Sequence, residues 1–295
     1  MNQSEMTAKI EVGDGFIAAL DQSGGSTPKA LKGYGIEEGA WADDEEMFGL
    51  IHQMRSRIIN SPCFGMGKVI GAILFERTMD GTVNGTPTPR ALIGLGVVPF
   101  IKIDKGLEAE ANGVQMMKPM PELDGLLGRA QQLGVFGTKE RSVINLANEA
   151  GIAAVVDQQF NVARQVLSHY MVPIIEPEVS IKSPERDGAD RILLREILRN
   201  LDGIDDGQQV MLKLSIPVEA GLFQPLVDHP KVLRVVALSG GFSREDACRE
   251  LARNPGMIAS FSRALLSDLR TSMSDEEFDR SLGTAIDEIY QASTA

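Results

Sequence analysis

The sequence predicts an α/β fold, a (β/α)8 TIM barrel, from two observations. Eight short apolar runs lie about 25 to 55 residues apart, and helical patterns separate most of them. Such alternation indicates βα units with parallel strands, and eight units in a chain of 295 residues are typical of this barrel. We therefore expect a single barrel domain over residues 1–295, with N-terminal and C-terminal helices packed on it.

The main alternative is an open, doubly wound sheet. Its usual sign is a glycine-rich phosphate loop directly after a strand. The segment 65–68 is not a phosphate loop, and the segment 94–96 precedes a strand and lacks a third glycine. We interpret both segments as turns.

Each apolar run is short and nearly continuous, as in strands that are buried on both faces. The fourth run, GVFGTKER, is weaker than the others because it contains more polar residues. The predicted strands cover residues 15–21, 69–76, 97–105, 134–141, 171–178, 209–217, 232–241 and 257–262.

The segments between the runs carry helical signals. In the segment 41–59, acidic residues occupy the first turn and apolar residues recur at helical spacing. Ser243 suits an N-cap, and Ser274 with Glu277 forms a capping-box signature. The predicted helices cover residues 1–12, 41–59, 143–170, 184–201 and 243–253, and a last helix follows Ser274.

Composition limits the classes of partner. The formal net charge of −12 opposes binding to nucleic acid or to an anionic membrane, so an anionic substrate needs local lysines and arginines. No apolar run is long enough to span a membrane, and residues 1–12 do not resemble a signal peptide. Cys63 and Cys248 show neither metal-ligand spacing nor a disulfide framework, so we expect reduced cysteines and a cytoplasmic location.

We expect no metal or other cofactor. The three histidines are far apart in the sequence, and the HExxH motif is absent. This pattern disfavours a catalytic zinc site without excluding one.

Lys213 lies in the apolar middle of the sixth run. Burial without a partner lowers the pKa of a lysine, and a lysine that loses its proton near neutral pH can form a Schiff base with a carbonyl. The alternative is a structural ion pair between Lys213 and a buried carboxylate.

Charged and polar residues cluster toward the carboxyl ends of most runs, which meet at one mouth of a barrel, where catalytic residues lie. Side chains two residues apart share a face of a strand, so paired positions project together. This clustering favours a functional site over structural ion pairs alone. The clustered residues are Asp21, Lys102, Asp104, Lys105, Lys139, Arg141, Glu176, Glu178, Lys213, Ser239, Gly240, Gly241, Ser260, Ser262 and Arg263.

The residue types indicate imine chemistry. Lys213 is the candidate nucleophile, and Glu176 suits the proton transfers that form and dehydrate a carbinolamine. Lys139 would help to lower the pKa of Lys213 through like charge. Asp21 is interpreted as a bridge between cations that takes part in proton transfer, or as an ion pair in the barrel floor. Glu178 is interpreted as an ion-pair partner.

Two groups of residues suit the binding of anions. Gly240 lets backbone N–H groups approach an anion, and Ser239 and Arg263 add donors after the seventh and eighth strands, a recurrent phosphate site in this fold. A second anionic group is expected near Lys102 and two serines of the first loop. These serines are Ser23 and Ser26, and each also suits a turn.

On these residues the chain resembles the class I fructose-1,6-bisphosphate aldolases, in their shorter bacterial form. The matching motifs occur in order over nearly the whole chain: GFIAALDQSGGS (15–26), PFIKIDKG (99–106), PIIEPE (173–178), MLKLS (211–215), LSGG (238–241) and SFSRAL (260–265). The resemblance implies a barrel that cleaves fructose 1,6-bisphosphate reversibly to dihydroxyacetone phosphate and glyceraldehyde 3-phosphate without a metal.

The resemblance also implies roles for single residues. Lys213 matches the Schiff-base lysine, and Asp21, Lys139 and Glu176 match the residues that handle protons and the carbinolamine. The positions that match substrate contacts and their supporting carboxylate are Lys102, Arg141, Ser239, Gly240, Arg263, Ser23, Ser26 and Glu178.

The chain departs from the animal enzymes at several positions. Leu214 and Ser215 replace Pro-Asn after the lysine, Phe261 and Ser262 replace Tyr-Gly, and Ala30 stands where those enzymes carry an arginine. The chain also lacks their terminal tyrosine. The family is often tetrameric, and this sequence leaves the oligomeric state open.

Three other readings stay open at this point. One is another Schiff-base barrel, such as a transaldolase or an aldolase for a single phosphate. A second is a catalytically silent sugar-phosphate-binding protein on the same fold. The third is a zinc-dependent aldolase, for which the sequence offers no obvious histidine cluster.

Overall fold

In a computed structural model that describes residues 1–295, eight parallel strands form a nearly closed barrel, so the predicted fold class is confirmed. Neighbouring strands follow one another in chain order around the barrel. The strands are β1 Phe16–Leu20, β2 Val69–Leu74, β3 Val98–Lys102, β4 Gly137–Ile144, β5 Val172–Val179, β6 Val210–Ser215, β7 Val232–Leu238 and β8 Ile258–Ala259.

The barrel closes between β8 and β1. The hydrogen-bonded order of the strands begins at β1 and ends at β8, which has two residues. One backbone hydrogen bond crosses this seam, from the N–H of Ala19 to the carbonyl oxygen of Phe261 at 3.2 Å.

Twelve helices surround the strands, and none of them is long and apolar enough to cross a membrane. The predicted caps are confirmed: Ser243 accepts from the N–H of Asp246, and Ser274 and Glu277 form a capping box. The helices are α1 Gln3–Val12, α2 Thr27–Tyr34, α3 Asp44–Asn60, α4 Glu76–Asp80, α5 Thr88–Gly94, α6 Leu123–Leu133, α7 Glu149–Ser168, α8 Arg186–Leu201, α9 Gln224–Val227, α10 Arg244–Leu251, α11 Arg263–Leu266 and α12 Asp275–Ser293.

The fourth strand begins and ends three residues later than predicted. Gly134 belongs to the end of α6, where it caps the helix in the left-handed conformation at φ 86°. The strand then continues to Ile144, because it pairs along β5 as far as Val179 and with the short strand Val114–Gln115 on its other side. Lys139 and Arg141 therefore lie within β4 and not at its end, and the helix expected from residue 143 begins at Glu149.

Several short elements were not predicted. They include a hairpin of Thr82–Val83 and Thr86–Pro87, and the helices α2, α4, α5, α6, α9 and α11. Of these elements, α2 and α11 contribute residues to the cavity described below.

Apolar packing fills the barrel toward the amino ends of its strands. A cluster of 13 buried residues includes Met6 and Ile10 of α1, which close this end, and ring packing of Phe100 against Phe136 at 5.5 Å between centroids. A second cluster of 65 buried residues packs the strands against the helices. The polar side chains are left at the opposite end of the barrel interior.

Candidate active site

A cavity of about 800 Å³ opens at the carboxyl ends of the strands. Lys105, which sequence analysis named among the clustered residues, lies outside its lining and pairs with Glu76 at 2.7 Å. The lining contains every residue to which sequence analysis assigned a role: Asp21, Ser23, Ser26, Lys102, Lys139, Arg141, Glu176, Glu178, Lys213, Ser239, Gly240 and Arg263. The structure thus brings these residues together, and their chemical roles stay predictions.

Strand alternation explains how the side chains converge. Met211 belongs to the apolar cluster at the amino end of the barrel, and Lys213 follows two residues later on the same face of β6. On β5, Glu176 likewise follows the buried Ile174 by two residues and lies on the same face. On these two strands, the inward residue that follows the buried apolar side chain therefore lies in the cavity.

Four buried groups of alternating charge form the centre of the site. Nζ of Lys213 lies 3.2 Å from Oε1 of Glu176, and the other oxygen of Glu176 lies 3.0 Å from Nζ of Lys139. Nζ of Lys139 lies 2.6 Å from Oδ2 of Asp21. All four residues are buried. Glu176 thus joins the two lysines, and Lys139 joins the two carboxylates.

The surrounding charges keep both carboxylates ionised. Burial disfavours the charged form of Asp21, but the positive charges of Lys139 and then Lys213 hold its pKa well below the usual range. Burial likewise opposes ionisation of Glu176, and the same two lysines lower its pKa. For Lys139, burial is outweighed by Asp21 and Glu176, which raise the pKa of its ammonium. Asp21, Glu176 and Lys139 therefore keep their charges at neutral pH.

Two further ion pairs flank the centre. Nζ of Lys102 donates to Oδ1 of Asp104 at 2.6 Å and to the backbone oxygen of Asp104 at 2.9 Å. Arg141 donates through Nε to Glu178. Burial lowers the pKa of Lys102 against the opposing charge of Asp104. Burial also opposes the charge of Arg141, but its contact with Glu178 and the charges of the other carboxylates together raise its pKa.

The loop after β7 offers backbone donors beside a guanidinium. Gly240 has φ 58°, and a Cβ at this position would lie 2.6 Å from Cγ2 of Ile181, so the position requires glycine. Nη2 of Arg263 lies 3.2 Å from the place of a Cβ on Gly241. The N–H groups of both glycines donate to no acceptor within the chain. This combination suits an anion.

The first loop contributes a second polar wall. Ser26 is used by the local turn, because its hydroxyl donates to the backbone oxygen of Ser23 at 2.8 Å and accepts from the N–H of Ser23 at 2.9 Å. The hydroxyl of Ser23 has no such bond. Lys29, on the first turn of α2, also lines the cavity, and sequence analysis missed it.

Lys29 and Arg263 differ from the other cations of the lining. Lys102, Lys139, Arg141 and Lys213 each form an ion pair with a carboxylate of the site, whereas Lys29 and Arg263 form none. Two uncompensated positive charges are therefore available at the mouth.

Sequence analysis also missed Arg55, which lies behind the cavity and is fully buried on α3. Its signal was present in the sequence. Arg55 follows Ile51 by four residues, so it lies on the buried apolar face of α3. A charged residue on a buried helix face requires polar partners, which the loop after β1 supplies.

No group of three or more histidine, cysteine, aspartate or glutamate side chains is arranged to hold a metal ion. Cys63 and Cys248 are free thiols, and neither of them lines the cavity.

Comparisons with known proteins agree with this architecture. The family described as "Fructose-bisphosphate aldolase class-I" matches residues 4–187, a span that contains Asp21, Lys102, Lys139 and Glu176 and ends before Lys213. The structure is similar to that of fructose-bisphosphate aldolase from Plasmodium falciparum, solved in complex with TRAP and a small molecule inhibitor. The TM-score is 0.76 and the identity 20%, over 99% of this chain and 94% of that chain.

A protein from Corynebacterium glutamicum is also similar, with a TM-score of 0.55 and 13% identity over 98% of this chain and 92% of that chain. At these identities, the two structural matches show the shared fold. The family match covers more than half of the chain.

Proposed function

The chain belongs to the class I fructose-bisphosphate aldolase family, a family of lyases, and we propose that it cleaves fructose 1,6-bisphosphate through a Schiff base on Lys213. The products are dihydroxyacetone phosphate and glyceraldehyde 3-phosphate, the reaction is reversible, and it needs no metal. Such a reaction belongs to glycolysis and gluconeogenesis.

One observation carries this proposal: the carboxylate of Glu176 contacts Nζ of Lys213 at 3.2 Å inside a cavity large enough for a sugar phosphate. An amine nucleophile needs a base within hydrogen-bond reach to take its proton. Glu176 meets that requirement of position, and it is ionised, as a proton acceptor has to be.

The proposed reaction begins at the carbonyl carbon C2 of the ketose. Neutral Lys213 attacks C2, the new Nζ–C2 bond forms, and the carbonyl oxygen takes a proton to give a carbinolamine. A further proton transfer to that oxygen releases water and leaves the imine. We assign these transfers to Glu176, which lies beside the nucleophile.

Cleavage then breaks the C3–C4 bond. Its electron pair moves into the imine to form an enamine, while the proton of the C4 hydroxyl passes to a base, and glyceraldehyde 3-phosphate leaves. Asp21 is a second candidate for proton transfer, and Lys139 holds its carboxylate at 2.6 Å. Protonation of the enamine at C3 and hydrolysis of the imine release dihydroxyacetone phosphate and regenerate Lys213.

The two uncompensated cations support a substrate with two phosphates. Arg263, beside Ser239 and the free N–H groups of Gly240 and Gly241, suits one phosphate. Lys29 suits the other, and it stands next to Ala30, the position where the animal enzymes carry an arginine. A single-phosphate substrate would leave one of the two cations without a partner.

The experiment that tests the proposal is borohydride trapping with dihydroxyacetone phosphate, followed by mass spectrometry of the peptides. We expect a reduced adduct on Lys213 and none in the Lys213→Met variant. An adduct on Lys139 or Lys102 would identify that lysine, and not Lys213, as the nucleophile. If folded protein bound the ligand without forming an adduct, the hypothesis of a catalytically silent sugar-phosphate-binding protein would replace the proposed aldolase function.

Two kinetic measurements separate the remaining rivals. Comparison of kcat/KM for fructose 1,6-bisphosphate and fructose 1-phosphate distinguishes a bisphosphate aldolase from an aldolase for a single phosphate. Activity after dialysis against a strong chelator tests the metal-free mechanism, which a loss restored by zinc would refute.

A further inference from the structure

A buried arginine lies behind the site without a hydrogen bond to any carboxylate. Arg55 is the largest of the fully buried side chains. Its Nη2 donates to the backbone oxygen of Gln22 at 2.6 Å and to Oε1 of Gln22 at 3.1 Å, and its Nη1 donates to Oγ1 of Thr78 at 2.7 Å. Burial lowers the pKa of Arg55 to about 10, so the guanidinium stays charged at neutral pH. Two of the three hydrogen bonds that Arg55 donates thus go to one loop residue, Gln22.

Gln22 connects Arg55 to both sides of the barrel seam. It directly follows Asp21 at the end of β1, and its side chain lines the cavity. Its Nε2 donates to the backbone oxygen of Ala19 at 3.3 Å and to Oγ of Ser262. Ser262 precedes Arg263 and belongs to the β8 side of the seam.

The seam has little backbone pairing that would keep these two sides in place. A single backbone hydrogen bond crosses it, between Ala19 and Phe261. The side-chain bond from Gln22 to Ser262 is a second link, and both of its residues line the cavity. Beside the cavity, Gln22 is therefore the side-chain link between the first loop and the start of α11. Farther from the cavity, the N–H of Thr271 donates to the backbone oxygen of Tyr34 at 2.8 Å.

We propose that Arg55 and Gln22 are positioning residues for the phosphate-binding groups. Arg55 holds Gln22, and Gln22 sets the distance between the loop 23–26 and the segment 262–263, which contains Arg263. The ligand in question is an acyclic sugar bisphosphate, and this identification rests on the proposed function.

The bond network limits which step this positioning affects. Asp21 is held separately by Lys139 at 2.6 Å, and the contact between Lys213 and Glu176 involves neither Arg55 nor Gln22. Loss of the Gln22 contacts should therefore displace the phosphate-binding groups and leave the lysine centre in place. The expected signature is a change in KM and in ligand affinity with little change in kcat.

The test uses the variants Gln22→Leu and Ser262→Ala and their combination in the full chain. Gln22 and Ser262 are partly exposed, so these changes are far milder than a change at Arg55. We expect Gln22→Leu to raise KM for fructose 1,6-bisphosphate about two- to tenfold, the range of one neutral hydrogen bond. Ser262→Ala should give a smaller rise, and the double variant should not exceed Gln22→Leu.

Thr78→Val is the matched control, because it removes the other acceptor of Arg55 and leaves Gln22 untouched. We expect its KM to stay within about twofold of the wild type, a limit below the effect of one hydrogen bond. Arg55→Lys keeps the charge but replaces the several donor nitrogens of the guanidinium with one, so it cannot hold Gln22 and Thr78 together. It should therefore raise KM as Gln22→Leu does. A melting temperature for each variant separates a folding defect from a displaced loop.

A second measurement makes the inference independent of turnover. Calorimetry with a hexitol 1,6-bisphosphate, which has no carbonyl and forms no imine, gives Kd for each variant. A parallel rise of Kd and KM supports positioning, and Lys213 should still be trapped with saturating dihydroxyacetone phosphate. Unchanged Kd and KM in Gln22→Leu, or an equal rise in Thr78→Val, would overturn the inference.

The two proposals fail in different ways. If the wild type binds the hexitol bisphosphate but does not cleave the ketose, the proposed function is wrong and the Kd values still test positioning. If the wild type does not bind the hexitol bisphosphate, the ligand named for these positioning residues is wrong as well.

Discussion

Replacement of Glu176 by glutamine is the most informative single change in the lysine centre. The amide has the shape of the carboxylate but carries no charge and cannot take a proton. Lys213 would lose its one ion pair, at 3.2 Å, whereas Lys139 would keep Asp21 at 2.6 Å. The change therefore removes proton transfer at the nucleophile while most of the buried network stays paired.

The magnitudes follow from these contacts. A positioned acid/base contributes about 10²- to 10⁴-fold to a rate, so we expect kcat for fructose 1,6-bisphosphate to fall by that factor. Breaking a buried ion pair costs about 3–5 kcal/mol of unfolding free energy when a charge is left alone. The glutamine oxygen still accepts from Lys213, so the loss should stay below about 3 kcal/mol, and the variant should remain folded at 25 °C.

The assay couples dihydroxyacetone phosphate to NADH oxidation, and chemical denaturation gives the unfolding free energy. The matched control is Glu178→Gln, the same chemical change two residues along the same face of β5. Glu178 contacts Arg141 and neither lysine of the centre, so its kcat should fall by less than about tenfold. If Glu176→Gln keeps more than a tenth of the wild-type kcat, or if both variants lose equally, the assignment of proton transfer to Glu176 is wrong.

Three other predictions use single substitutions. Lys213→Met should abolish cleavage and keep the fold, because Glu176 retains Lys139 as a partner; cleavage near the wild-type rate would refute the imine mechanism. Lys29→Met should raise KM for fructose 1,6-bisphosphate about tenfold or more, the value of a charge-assisted contact, and should change KM for fructose 1-phosphate little. Equal changes in the two KM values would show that Lys29 does not bind the second phosphate. Glu140→Gln should increase the unfolding free energy at pH 8 more than at pH 5, as measured by urea denaturation at both values; a uniform change would refute the pKa reasoning.

The burial of Glu140 determines the direction of the pH dependence predicted for Glu140→Gln. Glu140 lies on β4, fully buried, and neither carboxylate oxygen has a hydrogen-bond partner. Burial and then the negative charge of Asp104 raise its pKa well above the ordinary 4.5. The folded state thus holds a proton that the unfolded state releases above about pH 4.5. This contribution to stability is complete at low pH and is lost as the pH rises through the folded-state pKa, and glutamine removes the dependence.

The barrel and the lysine centre were predictable because both depend on local repeats. Strand alternation alone places Lys213 on the inner face two residues after Met211, and parallel strands bring their carboxyl ends together. The shift of β4 was not predictable from its own residues. It depends on the pairing of Ile144 with Val179 and with the short strand Val114–Gln115, which are distant in the sequence.

Residues on loops and helices were harder to assign. Lys29 reaches the cavity because α2 begins directly after the loop 23–26, a helix that the sequence reading missed. Arg55 gave a signal through helical periodicity, but its partner Gln22 lies 33 residues away and gave none. The single-domain organisation of residues 1–295 stays a prediction.

The arrangement of charges is compatible with the anionic sugar that we propose as the substrate of this acidic protein. The lysine centre pairs two lysines with two carboxylates, and the flanking cations Lys102 and Arg141 are each paired with a carboxylate of the lining. Only Lys29 and Arg263 leave positive charge uncompensated in the lining, although the chain as a whole carries −12. Screening at physiological salt limits the repulsion from distant carboxylates to about 8 Å, so contacts inside the cavity decide whether a phosphate binds. Paired buried charges contribute little net stability, and removing one partner is costly, so the stability of the fold alone does not account for such a centre.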